Sequence, residues 1–258
     1  MAERHDDGSA GDADYGTIGT GYTAYRQPEP AIAALIEAAL GDAQTVLNVG
    51  AGAGSYEPAG RRVTPVEPSA TMRAQRPAHL APAIDAQAEN LPFADGQFDA
   101  AMASFTVHQW TDLAAGLAEM RRVTRGPVLV LSCDPALVQS FWLNDYAPQV
   151  LATEARRYPA PAGMGAVLGG TVSVLPVPIP LLCRDGFNEA YYGRPERLLE
   201  RGARTANSAW SFVDAAVAAR AVFALGDDLE TGVWDRKYGH LRTQPTYDGS
   251  LRLLVSRR

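Results

Sequence analysis

Cysteine is scarce, with only Cys133 and Cys183 in 258 residues. Neither stands at metal-ligand spacing, so a disulfide framework and a zinc site are excluded, and both are read as reduced, buried thiols. Long apolar runs are missing as well. No window approaches the roughly 20 uncharged apolar residues of a membrane span, and the opening MAERHDDGSAGDAD carries no apolar signal core. A cytoplasmic chain with no membrane partner is expected. Basic runs are absent beyond isolated pairs such as Arg121-Arg122, and the formal net charge is −6. That balance excludes a phosphate-backbone footprint and makes nucleic acid an unexpected partner.

What is present is ample apolar content, 47% of the chain, enough for one well-buried domain. Residues 1–14 are small, polar and charged and are expected to be a disordered tail ahead of a single domain at 15–258. In AIAALIEAAL, Ile32, Leu35, Ile36 and Leu40 recur at helical spacing after Pro28 and Pro30, and Gly41 supplies a stop. The runs TVLNVG, RVTPVEP, APAIDAQ, FDAAMASF and GPVLVLS are continuously apolar, which predicts strands buried on both faces of a parallel α/β sheet. DLAAGLAEMRRV between two of them predicts a helix with Asp112 as its N-cap. After about residue 132 the texture changes. FWLNDYAPQVLATEARRYP and SFVDAAVAARAVFAL carry helical patterns, GGTVSVLPVPIP reads as extended, and SLRLLVSRR as a last strand. The expectation is a cofactor-binding core at 15–132, a helical, aromatic cap from about 135 to 240, and a return to the sheet at 250–257.

The stretch VLNVGAGAGSYEP sets Gly50, Gly52 and Gly54 directly after an apolar strand, where bare backbone can approach a ligand with free N–H groups. A tight turn alone would account for this. The dinucleotide fingerprint needs a third glycine at position 55, where Ser55 stands, and Pro58 leaves the crossover at 51–62 little room for a helix. A nicotinamide-dependent oxidoreductase is therefore disfavoured. Glu67 follows at the carboxyl edge of the next strand, where an acid can accept two ribose hydroxyls.

Taken in order, VLNVGAGAG, VTPVEPSATM, AQAENLPFADGQFDAAMASFTVHQW and LAEMRRVTRGPVLVLS, within residues 44–132, resemble class I S-adenosylmethionine-dependent methyltransferases, in particular the group around the ubiquinone and menaquinone biosynthesis enzymes. AENLPFADGQFD is the most specific piece. The resemblance implies a Rossmann-like sheet of seven mostly parallel strands with the last antiparallel, and S-adenosyl-L-methionine as cofactor at the topological switch point. It implies that Gly50, Gly52 and Gly54 approach the methionyl part, that Glu67 and Pro68 lie at the ribose, that Ser69 caps the following helix, and that Met72 lies near the adenine. Gln87 stands where the family usually has an acid, with Ala88 offering its N–H to the ring and Glu89 adjacent. Ser104 and Phe105 would flank the methionine moiety, and Arg26, in a lead-in similar to the family's, would meet its carboxylate. Asn48 departs from the usual Asp, so a carboxylate contact becomes a neutral one.

Methyl transfer from a sulfonium needs alignment more than a base. His108, just past the fourth strand, is the best placed candidate for proton removal, with Tyr22 beside it as a hydrogen bonder. Tyr25, Trp110, Trp142, Tyr146 and Tyr191 are candidates for an acceptor pocket, and a ring-rich cap suggests a small apolar or aromatic acceptor of natural-product type, with indole carbon or nitrogen and phenol among the candidates. A monomer or homodimer is expected. The competing reading is a cofactor-binding regulatory protein without catalysis, which Asn48 and Gln87 hint at by replacing acids.

Overall fold

The computed structural model describes Gly11 and residues 22–258; the tail expected at 1–14 and the lead-in at 15–21 lie outside these residues, apart from Gly11. The chain begins with α1 (Tyr22–Tyr25) and α2 (Pro30–Leu40), which starts on Glu29 as N-cap and stops at Gly41, φ 58°. The parallel strands follow: β1 (Thr45–Val49), β2 (Arg62–Val66), then α3 (Ala70–Ala74), β3 (Ala100–Ser104), α4 (Leu113–Val123) and β4 (Val128–Cys133). Asp112 caps α4 by accepting from Ala115 N at 3.0 Å. The short helices α5 (Pro135–Val138), α6 (Pro148–Arg157) and α7 (Pro161–Leu168) lead to β5 (Thr171–Pro176) and β6 (Ile179–Pro180). Then come α8 (Arg201–Thr205), α9 (Ala215–Glu230), α10 (Val233–Tyr238), β7 (Thr246–Tyr247) and β8 (Leu251–Arg257).

The central sheet has the order β2-β1-β3-β4-β8-β5. The first four strands are parallel, and β8 runs antiparallel to both of its neighbours. It holds six strands, not seven, because APAIDAQ makes only one bridge, Ile84 to Val66. Pro65 in β2 and Pro82 beside Ile84 have no N–H to give, so the ladder between these segments cannot extend. Residues 51–61 form turns with no helix. The helical pattern of 141–158 is split into a 3₁₀ turn at Trp142–Asp145 and α6, which starts at Pro148.

Alternation along each strand builds two cores. Val46, Met102, Leu129, Leu131 and Leu253 face α2 and the helical segments after β4, while Leu47, Val49, Ala101, Val130 and Leu254 face Leu117 and Met120 of α4 and Met164 of α7. The cap rings join the first core: Trp234 and Tyr192 are fully buried beside Phe141 and Trp142. Among the described residues no helix is long and apolar enough to cross a membrane.

Candidate functional site: a cleft at the carboxyl ends of the parallel strands

The chain runs from β1 outward to β2 and then returns to β3 on the other side of β1, so a crevice opens above the ends of β1 and β3. A cleft lies there, walled by Gly50 and Gly52, by Glu67 and Met72, and by Ser104 and Phe105. Gly50 has φ 68°, and a Cβ on it would stand 2.0 Å from Thr106 Oγ1. Gly52, φ 51°, donates its N–H to Glu67 Oε2 at 2.8 Å, while Glu67 Oε1 accepts from Ser69 N at 2.8 Å. Two backbone donors thus fix a buried carboxylate at the lip of the loop. A carboxylate at the carboxyl edge of β2 has the chemistry to accept from a ribose diol.

At the far end Ala88, Gln87 and Glu89 line the wall with Trp110, whose ring covers Gly116; a Cβ there would stand 2.6 Å from the indole. The Trp110 ring and the backbone of Ala88 give this end an aromatic and hydrogen-bonding character that suits an adenine ring. Glu89 accepts from Thr111 Oγ1 at 2.9 Å and from Asp112 N at 3.0 Å, which ties this wall to the start of α4. The basic side chain that lines the cleft is Arg26, and its Nε is ion-paired with Asp185. With Glu67, Glu89 and Asp185 around it, the cleft has acidic rather than phosphate-binding character, which fits a nucleoside carrying a sulfonium and not a pyrophosphate.

Most of the residues expected at the cofactor come together here: Arg26, Asn48, Gly50, Gly52, Glu67, Pro68, Met72, Gln87, Ala88, Glu89, Ser104 and Phe105 all line the cleft. Gly54 and Ser69 do not. Gly54, φ 98°, packs against Leu80 and Arg76 behind the loop, and Ser69 is buried as the N-cap of α3, accepting from Met72 N at 3.3 Å. Asn48 donates from Nδ2 to Glu57 Oε1 at 3.2 Å, and Glu57 in turn accepts twice from Arg76 Nη2, at 2.9 and 3.0 Å. A carboxylate is therefore present beneath the glycine loop after all, nine residues downstream of Asn48.

Phe105 turns sharply after β3 with φ 54°, a left-handed conformation that bulky side chains avoid at a cost of about 1–3 kcal/mol. Its ring lies 5.0 Å from the Arg26 guanidinium and 5.3 Å from the Phe187 ring. Phe105 and Arg26 also line a second, smaller adjoining pocket with His108, Glu154, Arg157 and Tyr158. His108 thus opens onto the neighbouring space and not onto the main cleft, meeting the Tyr158 ring edge-on at 4.8 Å.

The proposed acceptor rings are mostly elsewhere. Trp142 donates from Nε1 to Tyr192 O at 2.9 Å inside the cap core, and Tyr146 donates to Asp228 Oδ2 at 2.7 Å. Tyr191 is buried against Gly186, and Tyr25 lies on Gly202 with its hydroxyl toward Glu200. These four line neither cavity because their rings complete the packing of the cap. Tyr22 opens α1, but its side chain lies outside the described residues. Of the proposed acceptor residues only Trp110 reaches the cleft, and it does so at the adenine end.

Asp185 was not legible in the sequence, yet it organises the site. Its Oδ2 accepts from the buried Tyr56 hydroxyl at 2.8 Å while its other oxygen holds Arg26. Burial, followed by the charge of Asp185, pushes the Tyr56 phenol far above its usual range, so it remains a donor. These residues lie 129 and 159 positions from Asp185 along the chain, and no local pattern joins them. Glu154 was missed for the same reason.

Residues 47–130 match the family described as "Methyltransferase domain". A demethylmenaquinone methyltransferase of Mycolicibacterium vanbaalenii is 42% identical over 66 residues, which is 26% of this chain and 29% of that protein. The aligned stretch therefore spans less than a third of that curated relative. A crystal structure of a protein assigned as a methyltransferase of an antibiotic biosynthesis pathway in Anabaena variabilis superposes with a TM-score of 0.84 at 28% identity, covering 90% of this chain and 98% of that one. A SAM-dependent methyltransferase of Thermotoga maritima shares the fold, with a TM-score of 0.54 at 14% identity over 94% of this chain and 93% of its own. With a cleft that fits the sulfonium nucleoside and a sheet of matching topology, the chain carries a methyltransferase domain at 47–130 and is similar in fold to the class I S-adenosylmethionine-dependent methyltransferases.

Proposed function

We propose that the protein transfers a methyl group from S-adenosyl-L-methionine to a small-molecule acceptor held in the cavity beside the cleft. The observation that carries this reading is the shared wall: Arg26 and Phe105 line both spaces, so an acceptor in the smaller one abuts the methionyl end of the larger. When bound, the cofactor supplies an activated methyl group. The protein supplies alignment and exclusion of water. Glu67 holds the ribose side, Trp110 and Ala88 the adenine side, and the Arg26–Asp185 pair closes the cleft from the cap.

The Phe105 and Phe187 rings, 5.3 Å apart, support a flat or aromatic acceptor, a phenol or indole among them. The polar remainder of the cavity supports an acceptor with hydrogen-bonding groups over a purely apolar one. The relatives named above are described for demethylmenaquinone methylation and for an antibiotic pathway, and a natural-product acceptor extends that class. A net charge of −6 supports a small molecule over nucleic acid. Calorimetry with S-adenosylhomocysteine tests the cofactor site, and binding in the micromolar range is expected. A mass-shift screen of phenols, indoles and amines tests the transfer. Cofactor binding without any methylated product would favour a regulatory protein instead.

A further inference from the structure

One acid of the second cavity has no part in the cofactor cleft. Glu154, in the last turn of α6, is half-buried and lines this cavity with Phe105, His108 and Tyr158. Its Oε1 accepts from Asn188 Nδ2 at 3.0 Å, and among the described residues no ion pair closes on it. By contrast Glu189, a deeply buried acid of the cap, is occupied by the N–H and hydroxyl of Ser250. A carboxylate accepts about four hydrogen bonds, so Glu154 keeps most of its capacity for whatever enters the cavity.

The charges around it are Arg157 on its own helix, Arg26 from the segment before α2, and Glu189 from the turn that follows Phe187. Arg26 is held by Asp185, and Arg157 donates to Ser208 Oγ at 2.9 Å while lying over the Phe212 ring. Burial raises the Glu154 carboxyl to about 7, with Asn188 and the arginines pulling the other way. It can therefore gain and lose a proton near neutral pH.

We propose that Glu154 takes the proton of the methyl acceptor, and that the acceptor is a small molecule whose nucleophilic atom is a nitrogen or oxygen bearing hydrogen. This rests on the methyl-transfer reading above. The acceptor's N–H or O–H donates to the carboxylate, and its lone pair forms the new bond to the methyl carbon. The S–CH₃ bonding pair returns to sulfur, and the proton ends on Glu154. A carboxylate suits this step better than His108. Carboxylate and sulfonium become carboxylic acid and thioether, so opposite charges disappear together, whereas a histidine base would leave a cation in an enclosed site.

The test uses the full chain saturated with S-adenosylhomocysteine and three probes: benzylamine and phenol, which donate a hydrogen bond, and anisole, which does not. Glu154→Gln keeps an oxygen for Asn188 Nδ2, and unchanged affinity for S-adenosylhomocysteine shows that the variant is folded. Calorimetry is expected to give tighter binding of the donor probes than of anisole, and about a tenfold loss for the donors alone in Glu154→Gln. Equal loss for all three, no loss for either donor, or no probe binding to the loaded wild type overturns the assignment. If S-adenosylhomocysteine itself fails to bind the wild type, the methyltransferase reading falls; if it binds and the donors ignore Glu154, only this inference falls.

Discussion

At the scale of single residues, the glycine loop has different demands at each of its positions. Gly50 is the least replaceable, because its φ of 68° and the 2.0 Å approach of Thr106 Oγ1 both oppose a side chain. Gly50→Ala is expected to weaken S-adenosylhomocysteine binding at least tenfold and to lower the melting temperature, as calorimetry and a thermal scan would report. Asn48 carries an opposite lesson. An Asp there looks like a return to the family pattern, but it would set a second carboxylate 3.2 Å from Glu57. Asn48→Asp should therefore cost about 1–3 kcal/mol in stability, and adding Glu57→Gln should recover most of it in urea unfolding. The sequence exposed the change at 48 but not its compensation, because Glu57 and Arg76 join it only through the turn.

At the scale of elements, what was legible follows from local chemistry. Asp112 and Ser69 cap the helices they precede, and the apolar runs of β1, β3 and β4 are buried on both faces, as their composition implies. APAIDAQ misled because apolar content says nothing about which N–H groups two prolines remove. The cap was legible as helix but not as architecture. Its rings were read as pocket walls, whereas Trp142, Tyr146 and Tyr191 bind their neighbours through hydrogen bonds and ring contacts that no periodicity encodes. The joint between cap and core is Asp185, with Arg26 and Tyr56 as its partners. Asp185→Ala removes one acceptor from two enclosed donors, and a loss of about 3–5 kcal/mol is expected from denaturant unfolding, together with weaker cofactor binding.

At the scale of the whole molecule, two sets of carboxyls bound the pH range of stability. Burial is the main cause that raises Glu189 to about 7, and Glu154 behaves alike. A native carboxyl raised above its unfolded value binds more protons than the unfolded chain, so its contribution is complete below the ordinary carboxylate range and is lost as pH rises toward 7. The wild type is expected to melt a few degrees lower at pH 7.5 than at pH 5, and Glu189→Gln should flatten that slope. Asp99 acts at the other end. The Thr45 N–H, then the Arg125 guanidinium, hold its carboxyl well below the usual range, so its share is present above about pH 4 and fades on acidification. The sheet itself carries a further consequence. β8 pairs with β4 along one side and β5 along the other, so among the described residues it is the strand that joins the contiguous first four strands of the sheet to its outer edge. During synthesis residues 45–133 can pair as they emerge, but β5 has no neighbour until 251–257 arrive. A nascent chain therefore waits with a third of its sheet unfinished, and a ribosome stalled before residue 251 should display a protease-sensitive segment around 171–176 that full-length release converts to a resistant one.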